Sequence, residues 1–100
     1  MKGEFALGQI TVTDNAATVL GEAAQDAAEF LSRHGQGDWG DLSVYEKGEN
    51  DYGLAHGCRV VFLSSYAIKT DQTIWVFTNL KQGVTTVMLP NERLPSTCGG

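Results

Sequence analysis

Residues 58–89 read CRVVFLSSYAIKTDQTIWVFTNLKQGVTTVML, and their punctuation decides the fold. CRVVFLSSYAI is rich in β-branched and aromatic residues, KTDQ has turn composition, and TIWVFTN returns to strand composition. LKQG is a second turn, and VTTVML a further strand closed by Pro90. Two hairpins in succession predict an antiparallel meander. Upstream, the hydrophobic period changes from two to about 3.6, the helical repeat.

Three helices are expected there. Thr13 or Asp14 can cap DNAATVLGEAA, in which Ala17, Leu20, Ala23 and Ala24 lie near one face and Gly21 weakens the helix. Asp26 opens a second helix with Glu29 three residues on, an apolar stripe at Ala27, Phe30 and Leu31, and Gly35 as its stop. Ser43 and Glu46 repeat the capping arrangement ahead of Val44, Tyr45, Gly48, Tyr52 and Ala55, and Gly57 ends that helix. FALGQITVT, before all three, reads as a first strand. The predicted fold is a single α+β domain in the order β-α-α-α-β-β-β: a small antiparallel sheet with helices on one face, followed by a flexible tail over 91–100.

The chain has 100 residues and a formal charge of −5. The charge is unevenly placed. From Asp14 to Asp51 nine acids accompany two bases, a balance of −7, whereas the rest carries three acids and five bases, +2. An acidic half repels phosphates and argues against binding nucleic acid, while it suits a basic protein surface. No apolar run approaches the ~20 residues of a membrane helix, and no signal peptide is visible, so a soluble, cytoplasmic protein is expected. Two cysteines are too few for a disulfide scaffold; Cys58 reads as a buried small hydrophobe and Cys98 as an exposed tail residue.

The segment RHGQGDWGD, residues 33–41, holds the residue types that most often carry chemistry. His34, Asp38 and Asp41 could offer one nitrogen and two oxygens to a cation, but neither a zinc nor a calcium spacing is present. Ser32, His34 and Asp38 are triad types without a nucleophile elbow, and His56 with Cys58 fits a helix stop followed by core. LPSTCGG resembles a sorting signal but lacks a following apolar anchor. The economical reading is structural. Arg33 and His34 suit the C-terminal end of a helix dipole, the glycines reverse the chain, and Asp38 and Asp41 brace loop amides. Trp39 folds back as a core plug whose indole N–H seeks one acceptor. Trp75, Val76 and Phe77 read as strand residues on alternating faces, and the VTTV threonines as those of an edge strand. No catalytic residue, metal or cofactor is expected.

The ordered set FALGQI, RHGQGDWGDL, ENDYGLAHGCRVVFLSSY, TIWVFTN and VTTVMLP, from about Phe5 to Pro90, resembles a family of small bacterial proteins carried on plasmids, integrated elements and phages. NLKQG and the tail after Pro90 depart from its pattern. That family has no established enzymatic activity, so no catalytic residue carries over. The resemblance implies a mobile-element context, and with it a non-enzymatic inhibitor of a host defence complex, of anti-CRISPR type or directed at a restriction enzyme. The partner-binding residues expected on that reading are Asp38, Asp41, Glu46, Glu49 and Asp51, with Tyr45 and Tyr52 as amphipathic anchors. The alternative is a small assembly protein that homodimerises through an exposed sheet edge.

Overall fold

Alternation of large apolar and small residues from 61 to 88 builds three consecutive antiparallel strands in the computed structural model, which describes residues 5–92. In chain order the elements are β1 (Gln9–Val12), α1 (Asp14–Glu22), α2 (Ala27–Gly35), α3 (Val44–His56), β2 (Val61–Ala67), β3 (Thr73–Asn79) and β4 (Val84–Met88). The expected α+β fold and its element order are present. The sheet runs β1-β4-β3-β2. Both hairpins form as read, with Tyr66 opposite Ile74 and Val76 opposite Val87. β1 lies parallel to β4, with Val12 opposite Val87.

Residues paired across strands share a face. One face therefore carries Tyr66, Ile74, Val76 and Val87, which pack with Ala16, Leu20 and Ala23 of the α1 segment and Phe30 of α2. Phe77 and Met88 occupy the other face and are also buried. β4 is a central strand, so Thr85 and Thr86 are buried rather than placed at an edge.

The caps follow local chemistry. Thr13 accepts from the Ala16 amide, and Asp26 from that of Ala28. Ser43 and Glu46 form the full reciprocal capping box. Asp26 and Glu29 do not, because the Glu29 carboxylate instead receives the Gln25 amide. Gly35 is the last residue of α2, and the chain turns at Gly37, where φ is +84°. Gly57 ends α3 in the left-handed conformation. The expected flexible tail lies outside the described residues from 93 onward. Its first part is held: Glu92 accepts from Thr13 Oγ1 and the Leu89 amide, both at 2.8 Å. None of the described helices is long and apolar enough to cross a membrane.

Candidate functional site: the glycine-rich loop and helix α3

Residues 33–41 close one edge of the sheet. Gly40 forms a parallel bridge to Ser65 of β2, with Ser65 N–H donating to Trp39 O and Asp41 N–H to Ser65 O. The neighbouring outward groups of β2 are taken by side chains. Asp41 accepts from the Ala67 amide, Asn50 donates to Leu63 O at 3.0 Å, and Arg59 donates to Val61 O at 2.9 Å. Gly40 has φ +73°, and a Cβ there would stand 2.0 Å from Ser65 O. Only glycine permits that approach.

Trp39 is buried as expected, stacked on both Phe62 and Phe5, which also stack on each other, and its indole N–H donates to Asp51 Oδ1 at 2.8 Å. Asp38 pairs with Arg33 at 2.7 Å and accepts from the Gly40 amide. These bonds hold its carboxyl below the ordinary aspartate range, the Arg33 hydrogen bond foremost, and they raise Arg33 in turn. Arg33 also lies 4.6 Å over the Tyr66 ring, whose hydroxyl donates to Asp38 O. Burial pushes that hydroxyl up to about 12.

His34 differs from the expected dipole-end residue, because it is fully enclosed. It points inward from α2 to β2 and β3, reaching Ser64 Oγ through Nδ1 (2.5 Å) and Thr78 Oγ1 through Nε2 (2.9 Å). Thr78 contacts Thr85 at 2.6 Å, and Thr85 donates to Leu7 O. One hydrogen per hydroxyl fixes the direction of this chain. Thr85 spends its proton on the carbonyl, so Thr78 donates to Thr85 and His34 Nε2–H donates to Thr78. Nδ1 of the neutral ring then accepts from Ser64. Burial lowers the His34 pKa to about 4, consistent with a neutral ring. Phe5 and Trp39 pack edge-on against it. The pair is Ser–His in kind, but both residues are sealed from solvent, so Ser64 has no route to a substrate. Ser32 bonds Gln36 rather than His34.

α3 presents the exposed part of the region. Glu46 holds its cap through Oε1 and Asp51 holds Trp39, whereas Glu49 comes no nearer than 3.9 Å to Arg59, at the limit of an ion pair. Val44 is 87% exposed, Tyr45 75% and Tyr52 62%, with the Tyr52 ring tilted against that of His56 at 4.0 Å. Tyr45, Glu49, Tyr52 and His56 recur at i, i+4, i+7 and i+11 and form one outward stripe. Of the seven expected partner residues, Glu49, Tyr45 and Tyr52 share that stripe with few internal bonds. Asp38, Asp41, Glu46 and Asp51 each hold a piece of the fold. Sequence reasoning singled out His34 and the VTTV threonines but not the buried chain that joins His34 to Ser64, Thr78 and Thr85, and it missed Asn50. Cys58 is exposed rather than buried, because β2 starts only at Val61. No group of three or more His, Cys, Asp or Glu suited to a metal occurs among the described residues. Comparison of the chain with family models, curated proteins and solved structures found no match to any of them.

Proposed function

We propose that the protein is a non-enzymatic binding module that docks a basic protein surface through the outward face of α3. The observation that carries this reading is the stripe of Tyr45, Glu49 and Tyr52, with Val44 beside it, exposed on a helix whose other side is anchored to the sheet edge. Tyrosines bury large area at small entropic cost, and a helix fixed by Asn50 and Asp51 meets its partner pre-ordered. The resemblance to mobile-element proteins adds the context. The partner is then a nucleic-acid-handling defence complex, a CRISPR surveillance or restriction complex, whose basic groove the acidic face fills in place of DNA.

The test is capture from bacterial lysate at low and high salt, with wild type and Tyr45→Ala/Glu49→Lys/Tyr52→Ala compared by mass spectrometry. A nucleic-acid-binding complex retained by wild type at low salt and lost by the triple variant supports the reading. Equal capture by both sinks it.

A second reading, self-association through a sheet edge, is favoured by β1. Gln9 and Thr13 bond inward to β4, so Ile10 and Val12 turn their backbone groups outward at the end of the sheet.

A further inference from the structure

Between α3 and β2 lies a recess of about 230 Å³. Its apolar walls are Leu42, Leu63 and Tyr45, and its polar groups are Glu46, Glu49 and Asn50, with Arg59 at one side. Asn50 is only 3% exposed. Its amide nitrogen is committed to Leu63 O, and Oδ1 has no partner among the described residues. No fully enclosed side-chain nitrogen or oxygen among the described residues lacks a partner, so this oxygen opens onto the space that Asn50 lines. Glu46 uses Oε1 for its cap and leaves Oε2 without a partner among the described residues. Glu49 is held only by the 3.9 Å contact with Arg59, whose Nε is already tied to Val61 O. Two carboxylates against one guanidinium leave the recess with a net negative charge and a set of unfilled acceptors.

We infer that this recess receives an arginine or lysine side chain of a protein partner, a refinement that rests on the binding role proposed for α3. The aliphatic stem lies along Leu42 and Leu63, and the cationic head meets Glu46, Glu49 and Asn50 Oδ1 beside the Tyr45 ring. A neutral side chain gains no charge pairing there and an anionic one is repelled, because Glu46 and Glu49 outnumber Arg59 in the lining. The same stripe thus supplies aromatic area outside the recess and a charge-selective socket within it, which fixes register on a basic surface.

The test titrates the whole protein with the capped peptide acetyl-Gly-Arg-Gly-amide, followed by backbone and Asn50 side-chain amide NMR shifts. The lysine and citrulline versions serve as controls. Arginine and lysine peptides are expected to give saturable shifts at Leu42, Glu49, Asn50 and Leu63, with citrulline silent. Glu49→Gln, which removes charge without removing shape, should weaken binding about fivefold, and Arg59→Gln should tighten it. Equal shifts with citrulline, no saturation up to tens of millimolar, or weaker binding by Arg59→Gln would each overturn the inference. Absence of peptide binding while a basic partner is still captured through α3 removes the socket and leaves the binding role. Saturable peptide binding with no α3-dependent partner does the reverse.

Discussion

The two edges of the sheet are finished in opposite ways. At β2 the outward groups of Val61, Leu63, Ser65 and Ala67 are met by Arg59, Asn50, the Trp39–Asp41 backbone and Asp41. At β1 Ile10 and Val12 face outward at the end of the sheet, and Ile10 is exposed. Edges that stay open invite pairing, and closing one takes polar groups in register. All of these closing groups except Arg59 come from the acidic segment. Of its carboxylates, Asp41 closes the edge, while Asp38, Glu46 and Asp51 hold the loop and α3 behind it, and the part left for recognition is the outward stripe of α3.

Breaking the closed edge should have the largest effect. Gly40→Ala places a methyl 2.0 Å from Ser65 O at φ +73°, and the expected result is a loss of about 3 kcal/mol or failure to fold, read by urea unfolding. Acid should act next, through the buried chain beneath that edge. His34 titrates near 6.5 when unfolded and at about 4 when folded, so the unfolded chain binds the proton first. Stability is then full above pH 6.5 and falls by about 3 kcal/mol on approaching pH 4. His34→Gln should flatten that slope. Asp38 and Glu92, both held below the ordinary carboxylate range, lose their contributions at lower pH still.

Smaller effects sharpen the contrast. Ser43→Ala removes the box at the start of α3 and should cost about 1 kcal/mol by thermal unfolding, loosening the helix that delivers Asn50 and Asp51 to the edge. Ile10→Lys on β1 should leave stability within about 0.5 kcal/mol. If β1 mediates self-association, sedimentation velocity will show a dimer for wild type and a monomer for this variant.

What could be read from the residues was local. Turn composition at KTDQ and LKQG delimited three strands, and the Ser43–Glu46 spacing marked the start of α3. Trp39 was legible as a buried plug because a large aromatic between glycines has few other uses, although its acceptor, Asp51, lies twelve residues away. The buried chain was not legible. His34, Ser64, Thr78 and Thr85 meet only through the packing of α2 on a sheet whose register is set elsewhere. A histidine near a helix end looks the same on paper whether it faces water or the core. β1 was found, but its parallel place beside β4 makes β4 central, which reverses the edge reading of Thr85 and Thr86. Likewise, the acids of residues 38–51 could be counted but not divided, because their division depends on what each meets in the fold: a sheet amide for Asp41, Arg33 for Asp38, a helix cap for Glu46 and the Trp39 indole for Asp51.

That division is the centre of the account, and urea unfolding of Asp51→Asn beside Glu49→Gln measures it most directly. The expected result is a loss of about 1–2 kcal/mol for Asp51→Asn, whose carboxylate holds the Trp39 indole, and a change within about 0.5 kcal/mol for Glu49→Gln. Equal losses for the two variants, or a larger one for Glu49→Gln, would contradict it, because Glu49 would then be part of the fold rather than of the face offered to a partner.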